Sequence, residues 1–157
     1  MTPAQALVLK SLLEDQSVAA LATLQEGAPA LSMVPYALLP HGKGFILHVS
    51  GMAAHTAQMR AHPSVSLMVM APLKPGESPL ALPRVSVQGV ARPWGTDAPD
   101  YALAKSLYQA RFPESEMTFA LGDFSIFVVE PRSLRFVGGF GQAHTLSAQE
   151  FASLMGN

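Results

Sequence analysis

The segment H-V-S-G-M-A-A-H-T-A-Q-M, running from His48 to Met59, carries the densest run of groups able to meet an anion. It passes from an apolar, strand-like stretch through Gly51 into a helix-like one. A helix N-terminus presents free N–H groups and the positive end of the backbone dipole, which together make an anion site. Ser50, His55 and Thr56 add two hydroxyls and an imidazole, a set that suits a phosphate monoester. The same residues also fit an ordinary helix cap, with Ser50 as the capping hydroxyl and His55 exposed. The chemistry of this segment, taken alone, stops at an anion site.

Other patterns lead nowhere. His41, His48, His55 and His62 fall seven apart, but on a turn, a strand and a helix, so only His55 and His62 can share a face. No H-E-x-x-H string marks a zinc site. The stretch V-G-G-F-G-Q-A-H-T-L looks like a glycine-rich dinucleotide turn, yet that unit needs another strand and an acidic residue about twenty positions on. The sixteen residues after Gly141 leave no room for it. Hydrolase chemistry has no G-x-S-x-G elbow and no paired carboxylates to work with. Zero cysteines exclude disulfides, thiolate metal sites and a thiol nucleophile.

The elements that must hold these groups follow from spacing. Ala6, Leu9, Leu12 and Leu13 recur at three- and four-residue intervals, which predicts an opening helix over 2–15 with Thr2-Pro3 at its start. Short apolar runs separated by turn signals predict strands over 18–24, 30–39 and 45–49, a three-stranded meander. A short helix over 51–62 ends before Pro63, since the residue preceding proline is pushed out of helical geometry. Strands over 64–71, 84–91, 124–129 and 134–137 and helices over 97–111 and 147–155 complete the reading, with Ser147 and Glu150 as a capping box. The proline-rich stretch 72–83 is a loop. A single domain over 1–157 is expected, its core large enough to stand without staples.

Composition narrows the partners. Charged residues make up 13% of the chain against roughly 25% in an ordinary soluble domain, while 49% is hydrophobic. No apolar run approaches the ~20 residues of a spanning helix, so the surplus is expected in a subunit interface and the protein in a homodimer. A formal net charge of −1 with scattered basic residues gives no footprint for nucleic acid or an anionic membrane, and a small-molecule substrate is expected. The first residues lack a basic segment followed by an apolar core, so a cytoplasmic location is expected.

The order L-S-M-V-P-Y, G-F-I-L-H-V-S-G-M-A-A-H-T, H-P-S-V-S-L-M-V, R-V-S-V-Q-G-V-A and R-F-V-G-G-F-G-Q-A-H resembles the pyridoxamine 5′-phosphate oxidase-like family of FMN split barrels. The strings S-x-x-A-x-H-T and V-G-G-F-G-x-A look most like its haem-utilisation branch. The resemblance implies a mainly β (α+β) fold, a six-stranded antiparallel split β-barrel with peripheral helices, paired into a homodimer with FMN at the interface. Carried over by position, Ser32, Met33 and Val34 would run beside the isoalloxazine. His48 and Ser50 would line the ribityl and phosphate end, and His55 and Thr56 would grip the phosphate. Arg84 would meet phosphate or ring oxygens, and Phe140, Gly141 and Gln142 of the other subunit would close the pocket.

The departures from that family are equally informative. Its oxidases carry an arginine and a lysine in the second strand, a basic S-R-K clamp, and Arg-x-His near the C-terminus. Here L-S-M-V-P-Y, G-M-A-A-H-T and Gln142-Ala143-His144 stand instead. The resemblance therefore implies an FMN-dependent oxidoreductase that does not capture pyridoxamine phosphate. Its alternatives are a haem-binding or haem-degrading protein with His144 as the axial ligand, and a binding module without catalysis.

Overall fold

The chain opens with α1 (Pro3–Asp15), begun by a reciprocal cap: Thr2 Oγ1 accepts from the Gln5 N–H and the Gln5 side chain accepts from the Thr2 N–H. A computed structural model describes residues 1–156. After α1 come β1 (Val18–Gln25), β2 (Ala28–Pro35), β3 (Ala37–Leu38), β4 (Phe45–Ser50), α2 (Ala54–Ala61), β5 (Ser64–Met70) and β6 (Arg84–Trp94). The chain continues through α3 (Tyr101–Arg111), α4 (Glu116–Ala120), β7 (Phe124–Val137), β8 (Ala143–Ser147) and α5 (Ala148–Gly156).

All strand pairs are antiparallel, in the order β2-β1-β5-β6-β7-β4-β3, with β8 added to β7. β2 and β3 are one length of chain bent at Tyr36. β2 pairs with β1 at one end of the order and β3 pairs with β4 at the other, so this length joins the two ends and curls the sheet into a barrel. Counted that way, six lengths of chain form the wall, and β8 is a hairpin extension. The split-barrel expectation stands. The meander forms as well, since the bent length pairs with β1 through β2 and with β4 through β3, but its second pairing is only two residues long and β4 makes its longer ladder with β7.

Other boundaries differ for physical reasons. The strands expected over 124–129 and 134–137 are one strand, since Pro131 sits opposite Gly89 at a register shift where the ladder needs no N–H from it. Helix α2 starts only at Ala54 because Gly51, Met52 and Ala53 make a turn. Helix α3 starts at Tyr101, after an Asp100 whose side chain makes no cap bond. At α5 the capping box forms as expected: Ser147 N donates to Glu150 at 2.7 Å and Glu150 N donates to the Ser147 hydroxyl at 3.2 Å.

Alternation of burial along the strands fixes two faces. Inward residues such as Leu21, Leu67, Val87, Leu134 and Phe136 form the barrel core together with Leu9 and Leu13 of α1, Met59 of α2 and Phe151 of α5. Each such side chain contributes about 1.5–3 kcal/mol by leaving water. On the outside, α3 covers Ile46, Ile126 and Val128 of β4 and β7. Among the described residues no element covers the outer face of β2, β1, β5, β6, the second half of β7 and β8: Leu31 is 76% exposed, Met33 63% and Met70 52%.

Candidate functional site

The turn after β4 brings Ser50 and Thr56 together but uses both hydroxyls to hold itself. Gly51 N donates to Asp123 O at 2.6 Å, and Ser50 Oγ donates to the Asp123 carboxylate at 2.8 Å. Ser50 Oγ also accepts from Met52 N at 3.1 Å. Thr56 is buried and donates to Ser50 O at 2.6 Å. His55 is half-buried, and burial holds its pKa below the ordinary imidazole value. The expected anion strap exists as a backbone turn, yet its formal charge is the carboxylate of Asp123.

His48 departs from its expected place beside a ribityl chain. Its ring stacks on Phe119 with centroids 3.7 Å apart and contacts Tyr108 and Phe124, beneath α3 and α4. It is 8% exposed. Burial, aided by Lys105, lowers its pKa to about 4. It is a wall residue of an aromatic cluster.

On β2, Met33 faces outward, Val34 belongs to the core, and Ser32 Oγ is buried without a partner. β2 is hydrogen-bonded to β1 alone, which leaves the backbone groups of its other edge unpaired by the sheet. Arg84, at the start of β6, turns Nη1 onto its own preceding loop, donating to Leu82 O at 2.9 Å. Phe140, Gly141 and Gln142 form the turn between β7 and β8. Gly141 takes φ +71°, Gln142 N donates to Gly139 O at 3.0 Å, and Phe140 stands 74% exposed. His144 lies opposite Phe136 on the inward side of β8, its Nε2 buried without a partner.

Besides Met33, the outer face contains residues to which the sequence reading gave no role. Following the register across six strands, one outward row reads Met33, Ala20, Met68, Ser86, Arg135, Thr145. The next reads Leu31, Ala22, Ser66, Gln88, Ser133, Ser147. A hollow of about 420 Å³ opens along the second row, lined by Ala22, Ser66, Gln88 and Arg132 among others. The alternation in S-V-S-L-M-V-M was the available signal, because it puts Met68 and Met70 on the side opposite the core valines.

A curled antiparallel sheet closed through one bent strand, with peripheral helices, defines the split-barrel class. Residues 8–138 match the family model described as pyridoxamine 5′-phosphate oxidase, and the chain belongs to that family. It is 34% identical over 127 residues to the chloroplastic heme oxygenase HOZ of Arabidopsis thaliana, covering 81% of this chain and 37% of that protein. It is 25% identical over 149 residues to the heme oxygenase HutZ of Vibrio cholerae, covering 94% of this chain and 84% of that one. The solved heme-binding protein of Mycobacterium smegmatis superposes with a TM-score of 0.85 at 30% identity, over 98% of this chain and 62% of that one. This chain thus spans less than two thirds of the plant and mycobacterial proteins. Among the described residues no helix is long and apolar enough to cross a membrane.

Proposed function

We propose that this protein binds haem on the uncovered outer face of its sheet, as a homodimer whose second copy helps enclose that face. The observation carrying this reading is the register row in which Met33, Ala20 and Met68 lie side by side and lead, two strands further on, to Arg135. Haem is a broad apolar plate with carboxylates at one edge, and the row offers apolar contact followed by a cation. The charged group bonded to the turn at Ser50 is the carboxylate of Asp123, which disfavours a phosphate there. The names of the three relatives point the same way, since each is named for haem.

Haem, when bound, supplies iron-centred electron and oxygen chemistry. The work of the chain is to take the plate out of water, with Leu31, Met33 and Met68 as apolar contacts, and to hold its charged edge. Exposed apolar side chains at this density on a charge-poor protein also call for a covering surface, which a two-fold copy provides. FMN is the second reading, favoured by the open edge of β2 beside Ser32, Met33 and Val34, whose backbone groups can meet a flavin edge. The apoprotein, titrated in parallel with haem and with FMN, separates the two. Haem is expected to give a saturable Soret band at low micromolar concentration while flavin fluorescence stays unquenched. Saturable quenching of FMN, with haem failing to saturate, would overturn the proposal.

A further inference from the structure

We infer that Arg135 is the carboxylate anchor of the ligand face, an inference that rests on the haem reading above and names the group that would hold the plate by its charged edge. Arg135 stands outward on β7, opposite Ser86 of β6 on one side and Thr145 of β8 on the other. Its Nη1 donates to Thr145 Oγ1 at 2.9 Å. That bond fixes the guanidinium over the sheet and uses one of its five N–H donors, leaving the rest for a ligand.

Neither Arg135 nor Arg84 has a carboxylate partner among the described residues, and of the two Arg135 is the one that shares a row with Met33 and Met68. Arg92 and Arg132 lie 3.6 and 3.7 Å from Glu130, and Arg111 spends its donors on the carbonyls of Glu14 and Gln16. Arg84 is a diagonal neighbour of Arg135 across the β6–β7 pair, roughly 7–8 Å away at the backbone, with Nη1 committed to its own loop. The outward positions around the two arginines, within 84–88, 133–137 and 143–147, hold no carboxylate in any of these segments. Met68 and Arg135 are two strands apart in one row, about 10 Å. The change from thioether to guanidinium over that span selects a flat apolar ligand with an acid at its rim. A guanidinium meets a carboxylate through two parallel N–H bonds, which an ammonium does not reproduce.

The test uses haem and its dimethyl ester as probes, titrated spectroscopically into the wild-type protein, Arg135→Gln and Arg135→Lys. Arg135→Gln is expected to weaken haem roughly ten- to hundredfold, the range of a lost charged hydrogen bond, and to leave the ester within about twofold of wild type. Arg135→Lys should fall between. Unchanged haem affinity in Arg135→Gln, or equal weakening of haem and ester, would overturn the anchor while leaving the haem reading in place. Failure of the wild type to bind either probe would instead remove the haem reading, and the anchor with it. Unchanged thermal midpoints in the variants confirm that the loss is one of binding and not of folding.

Discussion

The guanidinium of Arg111, in the last turn of α3, lies 5.0 Å from the centre of the Tyr36 ring. It also donates to Glu14 O at 3.1 Å and to Gln16 O. Tyr36 is the bend between β2 and β3, and its hydroxyl donates to Leu13 O at 2.8 Å. One cation therefore ties the frayed carbonyl end of α1, the closing bend of the barrel and the end of α3. Burial pushes the Tyr36 phenol up to about 12, with Arg111 pulling in the opposite direction.

Arg111→Met keeps much of the apolar stem and removes the charged bonds. With each such bond worth about 1.5–3 kcal/mol and some replaced by water, the variant should be about 2–4 kcal/mol less stable in urea unfolding. Arg111→Lys should recover under half of that loss, because an ammonium cannot bridge the two carbonyls and lie flat on the ring. An unmoved midpoint in Arg111→Met would contradict the role given to this residue.

His48 gives the fold a pH dependence. Thr118 Oγ1 donates to Ser115 O at 2.9 Å, so its oxygen is left to accept from the His48 Nδ1–H, 3.3 Å away. The folded-state pKa is about 4 against an ordinary value of 6.5. Between these values the unfolded chain binds a proton that the folded chain does not, so stability falls as pH drops from about 6.5 toward 4. His48→Phe, which preserves the stack on Phe119, should flatten this slope in urea midpoints measured across that window. His55 is shifted in the same direction and keeps part of the slope. A slope identical to wild type would show that His48 titrates normally.

Much of the fold was legible because it rests on local chemistry. The opening helix with Thr2, the closing helix with Ser147 and Glu150, and the strand alternation were all readable from neighbouring residues. What escaped depends on distant ones. Pro131 looks like a strand break until Gly89, opposite it, supplies the register shift that tolerates it. β8 carries Ala143, His144 and Thr145 after a glycine turn and becomes a strand only by pairing with β7. The resemblance alone put His48 beside the ligand, and the aromatic rings that enclose it come from the distant positions 108, 119 and 124. The row from Met33 to Arg135 is scattered over separate strings of the sequence, since five strands must be placed in register before its members meet.

The turn at Ser50 makes its own prediction. With burial disfavouring the charged form of His55 and the Asp123 carboxylate bonded to Ser50, the turn is expected to give a phosphate no net charged attraction. Any flavin affinity should therefore be within a few fold for FMN and riboflavin, by fluorescence titration. Thr56→Ala should cost about 1 kcal/mol of stability through the lost bond to Ser50 O, without separating the two flavins. FMN bound more than tenfold tighter than riboflavin would mean that a cation reaches the phosphate from elsewhere.

The location of the ligand is tested most directly by placing a charge in the middle of the proposed face. Met68 is 40% exposed in the centre of the row, whereas Met52 is 90% exposed on the turn after β4. Haem affinity is measured by Soret titration for Met68→Asp and Met52→Asp against wild type. A carboxylate at position 68 must be desolvated under the plate and repels its acids, so Met68→Asp should lose at least roughly tenfold in affinity, while Met52→Asp binds as wild type does. Wild-type affinity in Met68→Asp would contradict haem binding on this face.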